Sequence, residues 1–168
     1  MSTQNVFGAD NQQERLKMIG WIVGFSDGEG CFSVSIVRNK TSSIGWQVMP
    51  EFVITQGKSS LDSLLLVKKF FECGNVFLNK RYDDHTEDLC RYCVRSINDL
   101  STIIVPFFTS NSLKTCKCKD FLFFSKIMNL IRQRKHLTSS GMKEIALLAS
   151  QMNRRKSRSF LESSETIR

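Results

Sequence analysis

Asp27-Gly28-Glu29-Gly30 places two carboxylates and two glycines where one pattern of apolar residues stops and another begins. The run before it, from Ile19 to Phe25, is helix-spaced and carries Gly20 and Gly24, while a β-type sequence starts at Cys31. Glycines four apart share one helix face and leave it nearly flat. A flat face lets a second helix pack at close range, most simply the same helix of a second copy. Under a two-fold axis Glu29 then occurs twice, close together, and paired carboxylates beside exposed carbonyls are what hard divalent cations take as ligands. The plainer alternative is an ordinary helix end leading into a strand, with Asp27 and Glu29 solvated. Spacing alone does not separate the two.

Ile22-Val23-Gly24-Phe25-Ser26-Asp27-Gly28-Glu29-Gly30 resembles the signature of the LAGLIDADG homing endonucleases. It departs from that pattern in Ile22-Val23 for Leu-Ala, Ser26 for an apolar residue and Glu29 for a second Asp; the Glu keeps the charge on a longer arm. The resemblance implies a catalytic Glu29, with Gly28 and Glu29 holding Mg²⁺ (or Mn²⁺). It also implies a homodimer interface of Gly20, Trp21, Val23, Gly24 and Asp27. Val53-Ile54-Thr55-Gln56 is similar to the strand end that supplies a water-positioning glutamine, which makes Gln56 a catalytic candidate. Ser112 to Lys119 resembles the segment that brings a lysine near the scissile phosphate; Lys117 matches by spacing and Lys119 is next. Asp-Gly-Glu-Gly occurs once, so one chain is expected to supply half a site.

Composition agrees with a polyanionic partner. Against 16 Asp and Glu stand 24 Lys and Arg, a formal charge of +8, and such an excess favours nucleic acid through counterion release. A basic but otherwise ordinary surface has the same composition. At 168 residues the chain is long enough for one domain with a real core, expected over 11–153. Residues 1–10 are expected to be flexible and 154–168 a basic, frayed tail. The most apolar window, Phe121 to Ile131, is interrupted by Ser125, Lys126 and Asn129 and is too short for a bilayer, so no membrane partner is expected.

Six cysteines in a chain with a polar N-terminus and no secretory signal indicate reduced thiols and an intracellular protein, in an organelle or in cytoplasm. Cys90 and Cys93 have zinc-like spacing, but in a strand residues three apart face opposite ways. Cys116 and Cys118 sit among Lys114, Lys117 and Lys119, a cationic setting that competes with a metal. The two histidines, His85 and His136, fall in a polar loop and a basic run and are expected at the surface.

The elements that must position these residues read α-β-β-α-β-β-α, then further helices, an α+β class. Asn11 to Ser26 is the expected first helix, with Leu16, Ile19, Trp21 and Val23 as apolar bulk. Cys31 to Arg38 alternates, Phe32, Val34 and Ile36 one way and Ser33, Ser35 and Val37 the other. Gln47 to Gln56 resumes after a polar turn, with Val48, Phe52 and Ile54 inward; Pro50 shares that parity and implies a bulge or an edge. Ser59 or Ser60 opens a helix to Glu72 that buries Leu61, Leu64, Leu65, Val67 and Phe71, and Gly74 ends it. Asn75 to Tyr82 and Leu89 to Ile97 form a second hairpin. Asp99 to Phe108 is a short helix interrupted by Pro106, and Lys117 to Gln133 and Ser139 to Asn153 complete the helices. This order is also the fold that the resemblance implies.

The outward parities form one surface. Asn79, Arg81, Arg91, Cys93 and Arg95 join Ser33, Ser35, Gln47 and Glu51 on a four-stranded antiparallel saddle. A β-ribbon fits the major groove, where Arg reads guanine and Gln or Asn reads adenine; antiparallel sheets also commonly leave one face simply wet. Ser33, Ser35, Gln47, Glu51, Asn79, Arg81, Arg91, Arg95 and Lys119 are therefore the DNA-contact candidates. The expected function is a homodimeric, metal-dependent endonuclease that cuts both strands of a long pseudo-palindromic DNA site. The chain lacks an N-terminal Cys and a C-terminal His-Asn, which points to an intron-encoded enzyme rather than an intein. Alternatives on the same fold are a maturase that binds intron RNA and a noncatalytic DNA-binding repressor.

Overall fold

The computed structural model describes residues 4–80 and 87–152. Helix α1, Gln4–Glu29, runs without a linker into strand β1, Gly30–Arg38. Strand β2 is Trp46–Gly57, helix α2 Leu61–Phe71, and strands β3 and β4 are Asn75–Asn79 and Leu89–Val94. Then come α3 (Ile97–Asp99), a π-helical stretch (Leu100–Ile104), α4 (Val105–Ser110), α5 (Lys117–Arg132) and α6 (Ser139–Ser150). The four strands form one antiparallel sheet in the order β1-β2-β4-β3.

The alternation within the strands makes the sheet two-faced. Phe32 opposes Phe52 and Phe52 opposes Val94, while Ile54 opposes Tyr92, all on the helix-covered side. Phe32 is the hub of the core: its ring stacks on Phe52 at 4.8 Å and meets Phe108 and Phe121 edge-on at 5.3 and 5.2 Å. Such pairs add to the area they bury. Because Phe121 and Phe124 lie on α5, that helix is locked across the inner face of β1.

Several expectations are corrected. Helix α1 begins at Gln4, not Asn11, and runs on to Glu29; residues 11–17 within it are all exposed. Leu16 (60% exposed) does not join the core, and Ile22 takes that place. On α2 Leu65 is exposed and Leu64, Val67 and Phe71 are buried. Ser60 makes no side-chain cap, and the left-handed residue closing α2 is Glu72 (φ 52°), followed by Gly74 (φ 71°). Pro50 produces no bulge, since the β1–β2 register is continuous from Gly30–Ile54 to Arg38–Trp46. The β2–β4 ladder starts only at Phe52, so β2 is locally an edge at Pro50, where a missing donor costs nothing. Pro106 does not interrupt its helix. The turn before it widens, Val105 N–H bonding Leu100 O, and a widened turn accommodates a residue that has no donor.

Candidate active site and nucleic-acid face

Gly30 decides how α1 meets the sheet. A Cβ there would stand 2.5 Å from the Ser26 carbonyl oxygen, so only glycine lets a strand start directly on the last turn of the helix. That junction leaves Gly28 and Glu29 exposed at the helix end, at the rim of the sheet.

Asp27 points the other way and is 9% exposed. Its carboxylate accepts from Lys114 N–H at 2.7 Å, from Thr115 N–H at 3.1 Å and from Thr115 Oγ1 at 2.6 Å. Burial pushes the Asp27 carboxyl up; the Thr115 hydroxyl, the two N–H donors and the Lys117 charge outweigh that and hold it below the usual aspartate value. This corrects the expectation that Asp27 faces a partner helix. It clasps the loop that enters α5, 88 residues on.

The clasp sets the first turn of α5. Lys117 N–H bonds back to Thr115 Oγ1 at 3.3 Å, and Lys117 Nζ donates to the Gly28 carbonyl. A lysine ammonium therefore rests on the carbonyl beside Glu29. Lys119 lies about 200° further round the helix at 3.6 residues per turn and is exposed away from that point. Gln56 is half-buried on the inner parity, opposite Cys90. It lies two residues beyond the Gly30–Ile54 pair, on the side where α1 ends.

On α1 the glycine stripe is longer than expected. Gly20, Gly24 and Gly28 are four apart and exposed, and a Cβ added at any of them meets nothing within 4 Å. Trp21 (38% exposed) stacks on Phe25 at 5.1 Å beside that stripe. Val23 is half-buried and packs on the core instead. The third glycine was legible in the spacing.

The outer sheet face carries most of the expected contact residues. Ser33, Ser35, Gln47, Glu51 and Arg95 line one open concavity of about 450 Å³. Asn79 is exposed on β3, and Arg81 lies outside the described residues. Glu51 is not free: it accepts from Arg95 Nε at 2.7 Å, Arg91 Nη2 at 3.5 Å and Cys93 Sγ at 3.3 Å. Burial raises the Glu51 carboxyl, but the bond from Arg95, the thiol and both arginine charges bring it below its usual value. The Cys93 thiol is pushed up to about 11 by burial and by Glu51. Cys90 sits on the opposite face, as strand geometry requires, and among the described residues no three His, Cys, Asp or Glu side chains gather at one point. None of the six cysteines forms a disulfide. His136 is half-buried rather than exposed, and His85 lies outside the described residues.

A glycine-striped helix ending in a carboxylate at the rim of a four-stranded saddle defines a class. A family model described as LAGLIDADG endonuclease matches residues 22–128, and the chain belongs to that family. Among its relatives is a probable intron-encoded endonuclease 2 of Neurospora crassa, 34% identical over 148 residues, which are 88% of this chain. The chain spans only 32% of that relative and about a quarter of two further ones. The crystal structure of the homing endonuclease I-TnaI is 37% identical with a TM-score of 0.78, over 89% of this chain and 97% of that one. I-SmaMI, bound to uncleaved DNA in the presence of calcium ions, is 33% identical with a TM-score of 0.77. There the match covers 87% of this chain and 48% of the other. No helix among the described residues is long and apolar enough to cross a membrane.

Proposed function

We infer that the chain is an intron-encoded, site-specific endonuclease that cuts both strands of a long pseudo-palindromic DNA target as a homodimer. One observation carries the reading: the Lys117 ammonium rests on the Gly28 carbonyl, next in sequence to the exposed Glu29, where α1 ends at the rim of a sheet with an open, polar face. The lack of disulfides among the six cysteines and the intron-encoded relatives favour an intracellular or organellar setting.

The donors suit a hard divalent cation. Glu29 is an exposed carboxylate, and the Gly28 carbonyl already holds a cation, the Lys117 ammonium. A single chain offers too few oxygens for six-fold coordination, so a second copy, water and phosphate oxygens must complete the set. The glycine stripe supplies the way: with no side chains in between, two α1 helices approach closely and bring both Glu29 residues together. Held by Glu29 and the Gly28 carbonyl, Mg²⁺ or Mn²⁺ would supply charge stabilisation at the phosphate and lower the pKa of a water. Lys117 transfers its ammonium from the Gly28 carbonyl to the scissile phosphate, a stronger acceptor, and offsets charge there. Gln56 orients solvent from the β2 end, and the sheet face holds the duplex in register.

The test incubates purified protein with Mg²⁺ and a randomised double-stranded DNA library and sequences the cut ends. A single long target cut on both strands with a short stagger is expected, and Glu29→Gln is expected to abolish cutting while DNA binding persists. A wild-type dimer that binds DNA or intron RNA tightly but never cuts sinks the reading in favour of a repressor or a maturase.

A further inference from the structure

We propose that Arg95 is a preassembled guanine reader and that Glu51 is its positioning residue rather than a base contact; this rests on the DNA-binding reading above. Both Glu51 oxygens are engaged, Oε1 by Arg91 and Oε2 by Arg95 and Cys93. An acidic side chain reads cytosine by accepting from its exocyclic amine, but the Glu51 carboxylate is already committed to three donors within the chain, and its side chain is 22% exposed against 59% for Arg95. Arg95 spends only its Nε on Glu51, at 2.7 Å. Its two terminal amino groups remain, in the fork geometry that matches guanine O6 and N7.

Exposure separates the three charges. The Arg95 side chain is 59% exposed, whereas Arg91 is 33% and Glu51 22%. Arg95 thus stands out into the concavity that it lines with Ser33, Ser35, Gln47 and Glu51, and Arg91 lies lower as the second counter-charge. Tethering the Nε restricts the rotamers of a long side chain before DNA arrives, which lowers the ordering cost of binding. It also cancels one positive charge that would otherwise bind any phosphate. The carboxylate therefore trades general affinity for selectivity.

The experiment binds full-length protein to double-stranded DNA randomised across a half-site, with Ca²⁺ in place of Mg²⁺, and sequences the bound fraction. Wild type is expected to enrich a guanine in each half-site by about 5- to 150-fold over other bases, and Arg95→Ala to erase that preference alone. Glu51→Ala is expected to weaken the same guanine preference, to raise affinity for random DNA and to steepen its salt dependence by about one phosphate contact. Glu51→Gln, which keeps an oxygen for the Arg95 Nε, is expected to fall between. A Glu51→Ala protein that loses a cytosine preference and keeps the guanine overturns the proposal. So does an Arg95→Ala protein with the wild-type profile; if wild type still cuts its target, only this inference falls. A wild type that enriches no sequence removes this inference and the endonuclease reading together.

Discussion

The Asp27 clasp makes a quantitative prediction. Asp27→Asn preserves shape but replaces one acceptor oxygen by a donor, facing Lys114 N–H, Thr115 N–H and the Thr115 hydroxyl. The hydroxyl can rotate to accept from the new amine, and Oδ2, which already accepts from both Lys114 N–H at 2.7 Å and Thr115 N–H at 3.1 Å, can keep both backbone bonds as an amide oxygen. What is lost is the charge assistance on those bonds, about 1–2 kcal/mol in all. That corresponds to a fall in Tm of about 2–8 °C for a chain of this size.

The assay is thermal unfolding of Asp27→Asn, Thr115→Val and the double variant, with cleavage measured alongside. The double-mutant cycle should show a coupling of about 1–3 kcal/mol between the two sites. Because the folded carboxyl lies below its ordinary value near 3.8, its contribution is complete above that pH and is lost as pH falls through the depressed value. Wild type should therefore lose stability to acid more steeply than Asp27→Asn. Cleavage should drop more than DNA binding, since the clasp sets Lys117 and leaves the sheet face alone. An Asp27→Asn protein that melts within a degree of wild type and cuts at its rate refutes the reasoning.

Gly24→Leu should yield a folded monomer by sedimentation, with half-site binding retained and cleavage lost, because space is open in the chain but not against a second helix. Gly30→Ala forces a methyl to within 2.5 Å of the Ser26 carbonyl oxygen and should cost about 1–3 kcal/mol by denaturant unfolding. Ser26 is fully buried and its Oγ has no hydrogen-bond partner among the described residues; Ser26→Ala should raise Tm by about 2–4 °C, near 1 kcal/mol. Phe32→Ala, at the hub of the aromatic cluster, should cost about 3–5 kcal/mol.

Local periodicity made the sheet legible. Phe32, Val34 and Ile36 against Ser33 and Ser35 assign faces to β1 without any partner, and Phe52 with Ile54 does the same for β2. Asn11 to Ser26 was legible as helix, although residues 11–17 are all exposed, and the helix extends further, back to Gln4. Leu65 misled because α2 has three consecutive leucines and only Leu64 points inward. What a single sequence hides most completely is long-range pairing. Glu51 meets Arg91 and Arg95 across 40 and 44 residues, and Asp27 meets Thr115 across 88. Asp27, Glu51, Arg91 and Arg95 were visible as site candidates, while Thr115 and the bonds that define their roles were not.

Those hidden bonds divide the labour of the acidic residues. Of Asp27, Glu29 and Glu51, the carboxylates singled out from the sequence, Asp27 and Glu51 are held below their ordinary values by donors within the chain. A carboxylate whose lone pairs already accept three donors has little to offer a metal or a base. Glu29 differs: it is exposed, at the last residue of α1, and its neighbour is a carbonyl that already attracts a cation. Because α1 passes into β1 with no residue between them, Glu29 is fixed relative to the sheet. On the proposed function, recognition by the strands and placement of the acid would therefore be one rigid event, and a target that fits the saddle poorly would also misplace its phosphate relative to Glu29 and Lys117.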